Sequence, residues 1–133
     1  MVSREDFNHS SILVKDIMTR ALISVNLNTT SFQIAKMMEQ GGIGAIIVKK
    51  NENPVGIVTD RDFATKIAAN GLSFDTPAEK IMSSPLITID HDKPISVVAD
   101  MMSNKKIRKL AVTENNEIIG IITSTDLVNH LAK

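Results

Sequence analysis

Residues 14–69 and 78–133 carry one sequence pattern twice, offset by 64 residues with no gap. Fifteen of the 56 aligned pairs are identical, among them Met18/Met82, Met38/Met102, Val48/Val112, Gly56/Gly120, Thr59/Thr123 and Asp62/Asp126. Others are close exchanges, such as Ser24/Thr88, Val25/Ile89 and Phe63/Leu127. Solenoid and propeller repeats have periods of roughly 20–50 residues and need several copies. A single duplication at a longer period instead predicts two small sub-domains packed about a pseudo-twofold axis. Such a pair has two related clefts between its copies, and the repeated polar residues are expected there.

The bulk numbers agree with this reading. The 133 residues fit one domain, and a lone half of about 60 residues would bury only ~60% of its unfolded surface. The halves are therefore expected to share a core. Lys plus Arg and Asp plus Glu number 15 each, so no global field draws in nucleic acid or anionic membrane. The absence of cysteine excludes disulfides and thiolate chemistry. No apolar run nears the ~20 residues that span a bilayer, and no signal-peptide pattern is present. A cytoplasmic protein is the expectation. With no Trp or Tyr and four Phe, aromatic platforms for base stacking are scarce.

Residues 1–12 are polar, match nothing in the second half, and read as an arm or short helix. Repeat 1 (13–71) and repeat 2 (78–133), joined by a linker (72–77), each read β-α-β-β-α, a mixed α/β fold. In repeat 1, Leu22 to Val25 is a short strand, and Asn28-Thr29-Thr30-Ser31 supplies helix-capping oxygens. Phe32, Ala35 and Met38, with Ile34 and Met37, have the spacing of a buried helix face. Gly41-Gly42 ends that helix. Ile43 to Val48 and Val55 to Val58 are strands around a polar turn, and a last helix runs from near Asp60 to Asn70-Gly71. In repeat 2 the strands are Leu86 to Ile89, Ile107 to Val112 and Ile118 to Ile122. Its helices are Ile95 to Met102 and Thr125 to Leu131.

Chemistry concentrates in one duplicated string, Gly56-Ile57-Val58-Thr59-Asp60-Arg61-Asp62 and Gly120-Ile121-Ile122-Thr123-Ser124-Thr125-Asp126. In both copies a strand runs straight into a helix, with Thr at the junction and Asp three residues on. Free N–H groups at a helix start favour an anion, and a Thr hydroxyl can donate to a phosphate oxygen. An ionised Asp only accepts, which suits a pair of neighbouring hydroxyls such as a ribose diol. The same Thr and Asp also make an ordinary helix cap. Their recurrence on matching turns favours a binding role.

The duplication, Ile17-Met18-Thr19 with Ile81-Met82-Ser83, and both Gly-apolar-apolar-Thr-x-x-Asp strings resemble a tandem pair of CBS domains, a Bateman module. The resemblance runs from about Leu13 to the C-terminus and leaves no catalytic domain over. It implies a regulatory module, not an enzyme, that needs no cofactor and binds AMP, ADP, ATP or S-adenosylmethionine in its clefts. By that analogy Asp62 and Asp126 hold ribose hydroxyls, and Thr59 and Thr123 touch ribose or phosphate. Ile23-Ser24 and Ile87-Thr88 face the adenine with backbone groups and apolar surface. The resemblance also implies a homodimer through the helical faces and leaves room for an effector protein. A structural module that dimerises or docks a partner without nucleotide is the alternative.

The repeats differ in where they carry positive charge. Arg108 and Lys109 align with Gly44 and Ala45, whereas Arg61 aligns with Thr125. Guanidinium and ammonium groups suit phosphate, so the two clefts are expected to differ in their preference for phosphorylated ligands. The cluster also reads as a solvated corner between helix and strand. His9, His91 and His130 have no metal-ligand spacing, and Asp90-His91-Asp92 reads as a polar turn. No metal site is expected. The paired methionines read as core or dimer contact, and no nucleophile stands beside a base.

Overall fold

A computed structural model describes residues 12–20 and 22–132. The chain forms two compact units, whose boundaries cut across the two repeats. One is contiguous, Ile23–Leu86. The other is composite, combining residues up to Leu22 with those from Ile87 onward. Each unit thus takes most of its mass from one repeat and a short lead-in segment from the other.

A single helical turn, α1 (Val14–Ile17), belongs to the composite unit. The contiguous unit follows with β1 (Ser24–Asn26), α2 (Ser31–Gly41), β2 (Ala45–Lys50) and β3 (Asn53–Thr59). Next come α3 (Asp60–Asp62), which widens into a π-helix over Phe63–Ala68, and the lead-in turn α4 (Ala78–Ile81). The rest of the composite unit is β4 (Thr88–Asp90), α5 (Ile95–Lys105), β5 (Lys109–Glu114), β6 (Glu117–Thr123) and α6 (Ser124–Leu131). Each sheet has three strands, in the order β1-β2-β3 or β4-β5-β6. The first pair in each is parallel and the second antiparallel.

Local chemistry explains the helix ends. The Thr30 hydroxyl accepts from the Gln33 N–H (3.2 Å), and Gln33 Oε1 accepts from the Thr30 N–H (3.0 Å), a reciprocal cap for α2. The next two free N–H groups, of Ser31 and Phe32, donate to the carbonyls of Thr76 and Phe74 (2.8 and 3.0 Å). The linker is thus bonded to the helix start. Gly42 ends α2 at φ 62°, a left-handed position natural to glycine. Lys106 does the same for α5 at φ 54°, where a side chain opposes that geometry.

The lead-in turns complete the cores. Ala78 and Ile81 of α4 are fully buried with Val25, Ile34, Ile46, Val48, Val58 and Ile67. Val14 of α1 is fully buried with Ile89, Ile95, Val98, Met102, Leu110, Val112, Ile122 and Leu127. Burying one such side chain stabilises by about 1.5–3 kcal/mol, which is substantial for a unit of this size.

All six strands and the longer helices lie where the sequence pattern predicts, with strand ends moved by up to two residues. The exception is the last helix of repeat 1, which is π-helical over much of its length. The turns α1 and α4 are additions. Apart from Ile12, the arm over residues 1–12 lies outside the described residues. Among the described residues no helix is long and apolar enough to cross a membrane.

Candidate functional site

Both Thr-x-x-Asp turns sit at the end of a sheet's outer strand, and each is overlaid by the lead-in segment of its own unit. In the contiguous unit, Ser83 and Ile57 exchange two backbone hydrogen bonds (2.8 and 3.1 Å). In the composite unit, Thr19 and Ile121 do the same (2.8 and 2.9 Å). A β-carbon on Gly56 would stand 2.7 Å from Met82 Sδ and 2.9 Å from the Ser83 oxygen. On Gly120 it would stand 2.6 Å from the Thr19 oxygen. Real β-carbons do not approach this closely, so the glycine that opens each motif lets the lead-in backbone cross its strand.

In the composite unit the turn is a regular capping box. The Thr123 N–H donates to Asp126 Oδ2 (2.9 Å), and the Asp126 N–H donates to the Thr123 hydroxyl (3.2 Å). Asp126 is half-buried, and among the described residues its Oδ1 has one long contact, from the Thr19 hydroxyl at 3.5 Å. Lys109 lies directly opposite Thr123 in the β5–β6 register, which puts the two side chains on the same sheet face. The Arg108 carbonyl accepts from the Ser124 N–H (2.9 Å). Arg108, Lys109, Thr123, Thr125 and Asp126 are thus gathered at one strand-to-helix junction. Arg108 and Thr125 are exposed.

The contiguous unit repeats the backbone and changes the electrostatics. The Gly44 carbonyl accepts from the Asp60 N–H (3.2 Å), and Ala45 stands opposite Thr59. No cation comes from β2 at this junction. Arg61 is exposed on α3. Asp62 is 4% exposed. Its Oδ2 accepts from the Thr59 N–H (2.8 Å) and hydroxyl (3.3 Å). Its Oδ1 accepts from the Ser83 hydroxyl (3.4 Å) and pairs with Lys66 Nζ (3.0 Å).

Ile23 and Ile87 are half-buried against their cores, and their carbonyls already accept from Ile47 and Ala111 in the sheets (3.0 and 3.3 Å). Ser24 and Thr88 are exposed beside them. The sequence reading missed Lys66, Ser83 and Thr19. Ser83 and Thr19 share the 64-residue offset, which gave a signal; Lys66 aligns with His130 and gave none.

Away from these turns, Asp90, His91 and Asp92 could each offer a ligand atom within 4.8 Å of the others. Asp92 pairs with Lys15 at 3.2 Å, and the Lys93 and His91 carbonyls accept from the N–H groups of Val14 and Lys15 (2.8 and 3.0 Å). This turn seats α1. The Asp92 N–H donates to Asp90 Oδ1 (2.9 Å). That bond chiefly, opposed by desolvation and aided by His91 and Lys93, holds the Asp90 carboxyl below the usual range.

Comparison with known proteins gives a consistent answer. The model of the CBS domain matches residues 14–69 and 78–133. The CBS domain-containing protein YhcV of Bacillus subtilis is 32% identical over 120 residues, covering 90% of this chain and 86% of its own. The uncharacterized protein MK0525 of Methanopyrus kandleri is 34% identical over 121 residues, covering 89% of this chain; the match spans 62% of that relative's length. Among solved structures, the CBS domain pair of protein MJ0100, in complex with 5'-methylthioadenosine and S-adenosyl-L-methionine, superposes with a TM-score of 0.81. It is 28% identical, and 92% of this chain and 98% of that one are covered. A CBS pair is a regulatory module. The repeats, the two three-stranded sheets and the duplicated turns thus have one explanation: the chain belongs to the CBS domain family, as a tandem pair.

Proposed function

We propose that this CBS pair senses adenosine-containing ligands, AMP, ADP, ATP or S-adenosylmethionine, and transmits occupancy as a change of conformation or association. The observation that carries the reading is the Asp126 carboxylate. Among the described residues it has a single short donor, from Thr123, and it lies at the junction that Lys109 also lines. Its remaining acceptor capacity suits a ribose diol, and the neighbouring Lys109 and Arg108 suit a phosphate. Thr123, Thr125 and Asp126, with Ile87 and Thr88, are the residues of this reading in repeat 2; Thr59, Arg61 and Asp62, with Ile23 and Ser24, are their sequence counterparts in repeat 1. The MJ0100 pair is in complex with two adenosine compounds, which supports the class of ligand.

Calorimetric titration with AMP, ADP, ATP and S-adenosylmethionine tests the proposal. Saturable binding that Asp126→Ala weakens about tenfold or more, the loss expected for charge-assisted hydrogen bonds, supports it. No heat from any of the four removes it.

A second reading rests on a different observation. Phe32 and Phe74 are 54% and 69% exposed, and the Phe32 N–H donates to the Phe74 carbonyl. Two of the four phenylalanines are thus exposed on adjoining backbone of the contiguous unit. This favours an interaction module that self-associates or engages an effector protein, with or without ligand.

A further inference from the structure

We infer that Lys66 closes the Asp62 turn to ribose, so that the two repeats have diverged into one binding turn and one structural latch. This rests on the adenosine reading above and specifies which carboxylate does the binding. A carboxylate offers about four lone-pair positions. On Asp62 each oxygen has a short donor, the Thr59 N–H on Oδ2 (2.8 Å) and the Lys66 ammonium on Oδ1 (3.0 Å), and each has a longer hydroxyl contact, from Thr59 (3.3 Å) and Ser83 (3.4 Å); on Asp126 Oδ1 has only the long contact from Thr19 among the described residues. A diol would have to displace two of the Asp62 contacts in a site that is 4% exposed.

Lys66 is equally committed. An ammonium has three hydrogens, and Lys66 Nζ meets three acceptors: Asp62 Oδ1 at 3.0 Å, the Ile81 carbonyl at 2.8 Å and the Met82 carbonyl at 3.2 Å. The two carbonyls belong to the lead-in segment, just before Ser83 pairs with Ile57. Asp62 and Lys66 therefore tie the helix after β3 to the segment that crosses β3.

The equivalent of Lys66 in repeat 2 is His130, at the same offset. Among the described residues no cation pairs with Asp126, which keeps the single short donor from Thr123. The helices differ at the same place: Lys66 lies in the π-helical stretch, whereas α6 is α-helical throughout. Lys66 is thus the residue that sets the specificity of the two turns apart.

Reciprocal exchange of the two residues tests this, with AMP as the titrant. The wild type is expected to bind one equivalent. Asp126→Asn weakens that binding tenfold or more, and Asp62→Asn leaves it within twofold. Lys66→His opens a second equivalent, which Asp62→Asn then removes. His130→Lys weakens AMP tenfold or more by filling the Asp126 acceptors, although an added positive charge alone would tighten an anionic ligand. Two equivalents in the wild type, or tighter AMP binding by His130→Lys, overturns the inference. Should AMP bind to no variant, the adenosine reading fails by itself, and amide hydrogen exchange still decides the latch. Lys66→His is expected to speed exchange of the Met82 and Ser83 amides at least tenfold, and unchanged exchange overturns it.

Discussion

The carbonyl oxygen of Thr19 lies 2.6 Å from the point where a β-carbon on Gly120 would stand. These residues are 101 positions apart, yet Thr19 crosses β6 so closely that only a hydrogen fits between them. Gly56 has the same relationship to Ser83. The glycine of each motif is required by the crossing segment, whatever the ligand.

Gly120→Ala is therefore expected to destabilise the protein by about 1–3 kcal/mol, the usual cost of overpacking where the neighbour is backbone. Gly56→Ala should cost less than Gly120→Ala, because its nearest contact, Met82 Sδ at 2.7 Å, belongs to a flexible side chain and its backbone contact, the Ser83 oxygen at 2.9 Å, is less close than the 2.6 Å of Thr19. Urea unfolding of both variants checks the order, and equal midpoints for wild type and Gly120→Ala would contradict the crossing.

The lead-in turns are expected to be core elements. Ile81 is fully buried in the contiguous unit although repeat 2 supplies it. Ile81→Ala should cost about 2–5 kcal/mol. Amide hydrogen exchange should show the loss of protection concentrated in β2 and β3, and a loss confined to β5 and β6 would contradict it.

Lys109 is expected to govern preference for phosphate. It faces the same side of the sheet as Thr123, so Lys109→Ala should narrow the difference in affinity between AMP and adenosine. The wild-type preference should itself shrink with added salt as screening lengths fall below ~10 Å. Parallel titrations at low and high ionic strength give the answer, and an unchanged ratio in the variant excludes Lys109.

Self-association is expected to involve exposed apolar side chains, since most of the apolar helix residues, Met38, Met101 and Met102 among them, are committed to their own cores. Ile67 and Met102 are buried, and Met38, Met101 and Leu131 pack on their own cores. Met37, Phe32 and Phe74 remain exposed. Sedimentation of wild type and Phe32→Ser/Phe74→Ser at micromolar concentration should show a dimer that the double variant weakens. A 14.5 kDa species in both would remove the dimer.

Acid should reveal Asp90. Its folded carboxyl titrates below its unfolded value, so its contribution is present above the ordinary value of about 3.9 and lost as pH falls through the lowered one. Melting of wild type and Asp90→Asn from pH 3 to 7 should show a gap that is constant above about pH 4 and closes below it. A gap that widens toward acid would reverse the assigned sign.

How much of this was legible depends on the range of the interaction. Strands such as Val55 to Val58 and helices such as the one beginning at Ile95 announce themselves through apolar spacing and local caps. The capping box of Thr123 and Asp126 is equally local. A four-residue turn such as α4 has too few positions to show a period. The exchange of lead-in segments depends on pairings such as Thr19 with Ile121, which no window along the chain contains. The difference between Asp62 and Asp126 was hidden because it lies in a neighbour four residues on, Lys66 or His130, outside the repeated motif.

The exchanged segments also set an order of assembly. Everything the contiguous unit needs is present once the chain has been synthesised to Leu86, so it can fold while later residues are still being made. The composite unit must wait until Ile121 emerges to meet Thr19, and it then closes a loop that contains the whole of its neighbour. Late closure over so long a span slows folding. Asp126, which Thr19 also touches, is therefore complete only in a chain whose early and late parts have met. A ligand held there would bind only finished molecules, and its presence during synthesis would favour the last step to form.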